Sequence, residues 1–284
     1  MADPVTSPLR CDLSQYSLLD AAGTLRSVPA RWGDLTDGAD ELHGGVVVAL
    51  GEICESLARA SGTGGDLSAL VAAPHRRLAD LARERGEQVP LLDALDPSDP
   101  LADALVVCEE LLSAAARLVA ADCVAPASGM LLAVNASGGG VPKAALDRAV
   151  VGPGGLEGDR QRARQHHGRP SQALSLWSAE VIDALVAEGH PVSPGAAGEN
   201  LTVAGVDWSQ LRPGVRLAVG DDPSTAVVAE LTWWAEPCRT VAGCFADRRY
   251  SRIDHGHHPG WSRAYAAVLR GGAVRPGDAV RVLP

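Results

Sequence analysis

Gly129-Met130-Leu131-Leu132-Ala133-Val134-Asn135-Ala136-Ser137-Gly138-Gly139-Gly140-Val141-Pro142-Lys143 marks the point at which this chain changes character. Met130–Val134 is a short apolar run that stops in glycines and a proline instead of continuing at helical spacing. The pattern returns at Ala149–Val151, Leu201–Val203, Val215–Val219, Ala226–Leu231 and Ala279–Leu283. Short apolar runs bounded by turn residues read as β-strands, and this many in one region predict a closed or sandwich-like sheet. One helix is expected among them, Ser178–Ala187, with Ser178 as N-cap and Glu180 in the first turn. A second helix is expected to begin near Pro259-Gly260-Trp261 and to run to Leu269.

Upstream the periodicity is helical. Gly45–Ala60 has apolar residues at helical spacing and is broken by Ser61-Gly62-Thr63-Gly64-Gly65. Asp66 then serves as the N-cap of a segment toward Arg85, and Asp96–Pro100 is a turn cluster. Leu101–Ala121 repeats Leu, Val and Ala at three- and four-residue spacing, with Glu109 and Glu110 on the wet face. These segments predict at least three packed helices, and the periodicity ends at Val124–Ser128. The expected fold class is therefore α+β: an acidic α-helical domain over residues 1–125, then a mainly β, barrel-like domain over 129–284 with a few helices. His43 and His75 in the first half have no third ligand at a recognisable spacing and read as ordinary surface or core residues.

Charge divides along the same line. Residues 1–127 carry 20 acidic and 9 basic side chains (net −11), whereas 128–284 carry 15 and 16 (net +1). A net-acidic half argues against nucleic acid as a partner, because neutralising phosphates needs a surplus of Lys and Arg. Local arginine clusters in the second half suit a small anionic ligand better than a polyanion. The N-terminus shows no basic n-region followed by an apolar core, and no stretch approaches the ~18 apolar residues of a membrane span. The expectation is a soluble, cytoplasmic protein with no membrane partner. Its six cysteines, at irregular spacings, are then expected to be reduced thiols. Lys143 is the only lysine, so lysine Schiff-base chemistry has one candidate.

The second half also holds polar clusters: Gly158-Asp159-Arg160, His166-His167-Gly168-Arg169-Pro170, Gly198-Glu199-Asn200-Leu201-Thr202 and Glu236-Pro237-Cys238-Arg239. Glycines in the first and third predict tight turns between strands, where exposed N–H groups can hold anions. Arg160, Arg162, Arg164 and Arg169 lie close together and could form part of a basic ring. A thiolate at Cys238 would be a soft metal ligand or a nucleophile, favoured by Arg239 beside it; the plain alternative is a small buried hydrophobe. Core packing is the expected role of Cys244. His255, His257 and His258 are dense enough to suggest zinc, but their spacing fits no familiar zinc pattern.

In this order the clusters resemble the MOSC domain, the C-terminal module of molybdenum cofactor sulfurases, which also occurs as a stand-alone protein. Asn135–Lys143 resembles that family's opening strand and loop, and His258-Pro259-Gly260-Trp261-Ser262-Arg263 its closing segment. The resemblance runs from about Gly129 to the end and leaves the first half unmatched. It implies a molybdenum pterin cofactor, with Cys238 as molybdenum ligand and catalytic residue. It further implies Asp159, Arg160, His166, His167, Arg169, Glu199, Asn200 and Arg263 as cofactor-binding residues. Family members usually show a second glycine and a later arginine where this chain has Arg169 and Gln172. The implied activity is reduction of small N-hydroxylated molecules by oxygen-atom transfer. No flavin, haem or iron–sulfur motif is present, so an external electron-transfer protein is the implied partner. Two alternatives stand beside this reading. Cys238 could carry sulfur as a persulfide or hold the cofactor for delivery, or the barrel could be a scaffold without cofactor. Pyridoxal phosphate is not expected, since the acidic half has no lysine and Lys143 falls in an early loop.

Overall fold

The computed structural model describes Arg117, Ala120 and residues 124–160 and 170–283. Contacts divide the chain into two units, 1–123 and 124–284. Arg117 and Ala120 are helical, within the helix expected over Leu101–Ala121; the rest of the expected helices of the first half lies outside the described residues, as do His43 and His75.

The strands of the second unit are β1 (Ala127–Ala136), β2 (Ala144–Leu146), β3 (Ala149–Gly152), β4 (Gly155–Leu156), β5 (Leu174–Ser178), β6 (Leu201–Ala204), β7 (Arg216–Val219), β8 (Val227–Trp234), β9 (Ala264–Arg270), β10 (Gly272–Val274) and β11 (Ala279–Leu283). Seven of them close into a mixed barrel in the order β1-β11-β7-β8-β9-β5-β6 and back to β1. Closure is the work of β1, whose ten residues serve three partners. Ala127–Met130 pair with β11, Met130–Val134 with β6, and Val134–Ala136 with β2. The register shifts between Leu131 and Ala133, the local irregularity that lets one strand turn from one neighbour to the next. β10, β3 and β4 form a separate small sheet.

Every barrel pairing is antiparallel except β5 with β6. A parallel pair needs a crossover, and helix α1 (Ala179–Ala187) supplies it. Ser178 caps the helix as expected: its hydroxyl accepts from the Val181 N–H and donates to Glu180 Oε2 at 2.7 Å. Glu180 Oε1 in turn accepts the Gly205 N–H at 2.6 Å, fastening the helix start to the end of β6. The inner face of α1 sets Val181, Ile182 and Leu185 against Trp177, Val241, Cys244, Phe245 and Ile253. Cys244 is thus a core residue, as expected. The barrel interior is filled by Leu131, Val134, Leu174, Leu176, Leu201, Val203, Leu217, Val227 and Val280, all at 0% exposure. Fully burying one such side chain is worth ~1.5–3 kcal/mol. Among the described residues no helix is long and apolar enough to cross a membrane.

The helix expected over Pro259–Leu269 is a correction. Residues 264–270 are strand β9, between β8 and β5. Its first five residues are all buried, so both faces are apolar and no alternation betrays a strand. β5 escapes a sequence reading for the same reason: five consecutive buried residues lead directly into a helix cap.

Replacing Ser178 with Ala should lower stability by about 1 kcal/mol, because the Val181 N–H loses its acceptor. Guanidinium unfolding followed by tryptophan fluorescence measures this, and an unchanged midpoint would contradict the capping role.

Candidate functional site

β8 ends at Trp234, and the chain runs through Ala235-Glu236-Pro237 to Cys238. Cys238 is extended (φ −128°, ψ 173°) and opens the short helical turn Arg239–Cys244, its carbonyl accepting the Val241 N–H at 3.0 Å. Cys238 and Cys244 are free thiols at opposite ends of this turn, the first exposed and the second buried. Burial pushes the Cys244 thiol up. For Cys238, partial burial alone would raise the thiol. The Thr240 hydroxyl and N–H, the positive charge of Arg263 and the Val241 N–H outweigh it and hold the thiol below its ordinary value. N–H groups at the start of a helical turn favour an anion at the cap position. The thiol's position at the head of the turn is therefore the physical source of its acidity.

Arg263 reaches the same region on a backbone held by two tryptophans. The Trp177 indole donates to the Trp261 carbonyl at 2.9 Å, and the Trp208 indole donates to the Ser262 carbonyl at 2.7 Å. The Ser262 hydroxyl donates to the Ala235 carbonyl at 2.8 Å, and the Ala235 N–H donates to the Arg263 carbonyl at 2.7 Å. These bonds tie the approach to β9 to the exit of β8, so Arg263 and Cys238 are placed by adjoining strands. Arg263 is only 7% exposed, yet its Nε has no hydrogen bond, and among the described residues no carboxylate forms an ion pair with it. A buried guanidinium nitrogen without a partner is costly.

On the other side of Arg263 lies a satisfied network. Asp159 accepts the Ser137 N–H at 2.9 Å, Lys143 Nζ at 2.5 Å and Asn200 Nδ2 at 2.9 Å. Asn200 Oδ1 also accepts the Ser175 N–H at 3.1 Å, so its side-chain amide is committed to the fold. The Lys143 side chain is largely buried; desolvation lowers its pKa against the opposing pull of Asp159. Glu199, at 0% exposure, accepts the Gly195 N–H at 2.5 Å and the Thr202 hydroxyl at 3.3 Å through Oε1, while Oε2 has no partner. Desolvation raises its carboxyl against the pull of Gly195 and Arg263. Gly198 has φ +88°; a Cβ there would lie 2.6 Å from Val141 Cγ1 and 3.8 Å from Arg263 Nη1. Only glycine fits this turn, because of its positive φ and the close approach of Val141.

Cys238, Arg263, Glu199, Asn200 and Asp159 thus belong to one connected region. Asp159 and Asn200 are bound within it, whereas Cys238 and Arg263 keep atoms to offer. Arg160 follows Asp159 but its side chain is exposed, and its N–H donates to the Ser137 carbonyl at 2.8 Å. His166, His167 and Arg169 lie outside the described residues. Gln172 is buried, with Oε1 unpartnered. The histidines near the C-terminus serve otherwise: His255 stacks on Trp234 at 4.3 Å, and His257 bonds Asp254 at 2.7 Å. Among the described residues no group of three or more His, Cys, Asp or Glu side chains could hold a metal ion by itself. Lys143, Asn135, Trp177 and Trp208 are members of the region that motif reading did not select. The sole lysine, immediately after the glycine run, was the available signal for Lys143.

Residues 163–281 match the family model described as the MOSC domain. β1 to β4 precede the matched segment, although β1 closes the barrel. Among solved structures the chain is similar to the YuaD protein of Bacillus subtilis, with 18% identity, a TM-score of 0.46, and coverage of 56% of this chain and 97% of that one. It is also similar to YiiM of Geobacillus stearothermophilus (18% identity, TM-score 0.42, 55% and 75% covered) and YiiM of Escherichia coli (19%, 0.41, 55% and 70%). No curated protein sequence matches the chain.

Alkylation of Cys238 by iodoacetamide, mapped by mass spectrometry, should rise to half its maximal rate at a pH below that of an ordinary thiol. In Arg263→Met that midpoint should move upward; a midpoint indifferent to the substitution would contradict the electrostatic role of Arg263. Lys143→Met leaves the Asp159 carboxylate buried and short of its cation, and should cost about 3–5 kcal/mol in chemical denaturation. Adding Asp159→Asn should recover most of that loss, and a single-variant loss below ~1 kcal/mol would place the pair in effectively open water.

Proposed function

With residues 163–281 forming a MOSC domain, we propose that this protein binds a molybdenum pterin cofactor through Cys238 and reduces small N-hydroxylated molecules. The observation that carries the reading is the pairing of an exposed thiol held below its ordinary value with a buried guanidinium whose Nε has no hydrogen bond. The donor set suits the group: a thiolate is a soft ligand for molybdenum, and Arg263 supplies the cation that an anionic cofactor needs. When bound, the cofactor supplies two-electron oxygen-atom chemistry at an N–OH group.

The chain's own part is position and electrostatics. Cys238 offers sulfur at the head of a turn whose N–H groups favour its deprotonated form. Arg263, fixed by Trp177 and Trp208 through its neighbours' carbonyls, holds negative charge beside that sulfur. Asp159 and Asn200 keep the surrounding loops in register. The net change, R–NHOH plus two electrons and two protons to R–NH₂ plus water, needs a reductant. A separate electron-transfer protein fills that role in this proposal.

One observation favours a second reading. The same exposed, acidified thiol is a competent nucleophile, so Cys238 could carry sulfur as a persulfide for delivery elsewhere.

Protein from a host with a proven supply of cofactor should contain molybdenum and pterin near one per chain, and Cys238→Ala should lose the molybdenum. Wild-type protein should also reduce an N-hydroxylated base when given a chemical reductant. Cofactor-free wild type from that host would sink the molybdenum reading, and sulfane sulfur on Cys238 would then support the carrier.

A further inference from the structure

Glu199 and Arg263 are opposite in nominal charge, buried, and close enough to act on each other electrostatically. They nevertheless form no hydrogen bond or ion pair among the described residues, and Glu199 Oε2 and Arg263 Nε are both unpartnered. A buried carboxylate beside a buried guanidinium should take it as a partner, because each charge alone is expensive to bury. A second orphan lies in the same neighbourhood. Asn135 Oδ1 is a buried acceptor without a donor, while Asn135 Nδ2 donates to Thr202 Oγ1 at 3.4 Å. That Thr202 hydroxyl is the one that donates to Glu199 Oε1, so the Asn135 amide and the Glu199 carboxyl flank one side chain. Around Thr202 there are two acceptor oxygens in want of a hydrogen. A proton on Glu199 is the group that satisfies such an arrangement, directly or through a buried water.

We propose that Glu199 is a neutral carboxylic acid in the folded protein, its proton shared toward Asn135 Oδ1, and that this neutrality leaves Arg263 uncompensated beside Cys238. Glu199 is then a positioning residue. Its Oε1 fixes the Gly195 end of the turn through the N–H it accepts, while adding no negative charge to cancel the guanidinium. The groups facing it agree. Lys143, from the loop before β2, is neutralised by Asp159, from the segment after β4. Cys244, from the turn after β8, is buried with its thiol pushed up. Arg263, before β9, is left as the surplus charge. Desolvation, the largest influence on the Glu199 carboxyl, acts in the direction of protonation. The inference deepens the reading of Cys238 as the reactive thiol and names what keeps its cationic neighbour available.

The test uses the full chain without molybdenum, labelled with ¹³C at the glutamate side-chain carboxyl. One glutamate resonance should remain at the protonated position at neutral pH, and it should be missing from Glu199→Gln. If every glutamate carboxyl is ionised at neutral pH in the wild type, the proposal is overturned whether or not the variant folds. Cys238 alkylation at neutral pH supplies the functional readout. Glu199→Gln replaces a neutral acid by a neutral amide, so the rate should change by less than about threefold. A larger acceleration would mean that an ionised Glu199 had been cancelling Arg263, and would overturn the proposal. Neither measurement needs the cofactor, so a chain that binds no molybdenum would defeat the proposed function and leave this inference standing.

Discussion

Three segments far apart in sequence meet at the Asp159 carboxylate, and the rest of the site depends on that junction. Asp159 takes the Ser137 N–H from the loop after β1, the Lys143 ammonium from the end of the same loop, and the Asn200 side chain from the start of β6. Asn200 continues the link to β5 through the Ser175 N–H. Three donors meet on one buried carboxylate, and they fix the glycine-rich loop against the turn that carries Glu199.

The consequence is an uneven distribution of charge. The pair of Lys143 and Asp159 is closed on itself, so the guanidinium next to it receives no relief from that quarter. Arg263 is held where it is by backbone bonds on either side, and among the described residues no carboxylate forms an ion pair with it. Its charge acts on the thiol at the head of the 239–244 turn and holds it toward the anionic form.

Much of this was legible in the residues, and the remainder was hidden for identifiable reasons. Glycine and proline punctuation exposed β1, β3, β6, β7, β8 and β11, and the Ser178 cap showed where α1 begins. β5 and β9 were obscured because strands buried on both faces lose the alternation that distinguishes them from helix; Ala264–Arg270 even lay where a helix was expected. Cys238, Asp159, Glu199, Asn200 and Arg263 could be picked out from motif order. Their division into bound and available groups could not, since it turns on contacts such as Asn200 with Asp159 across 41 positions. Trp177 and Trp208 gave no local sign of function, because what matters is the carbonyl each indole reaches 84 and 54 positions away.

The proposed function turns on whether Cys238 is the protein's own ligand to molybdenum. Molybdenum-edge X-ray absorption on cofactor-loaded protein, compared between wild type and Cys238→Ser, addresses it most directly. With Cys238 as the ligand, the variant should show one sulfur scatterer fewer around molybdenum, with the remaining sulfur ligands unchanged. Identical sulfur coordination in the two proteins would contradict that assignment.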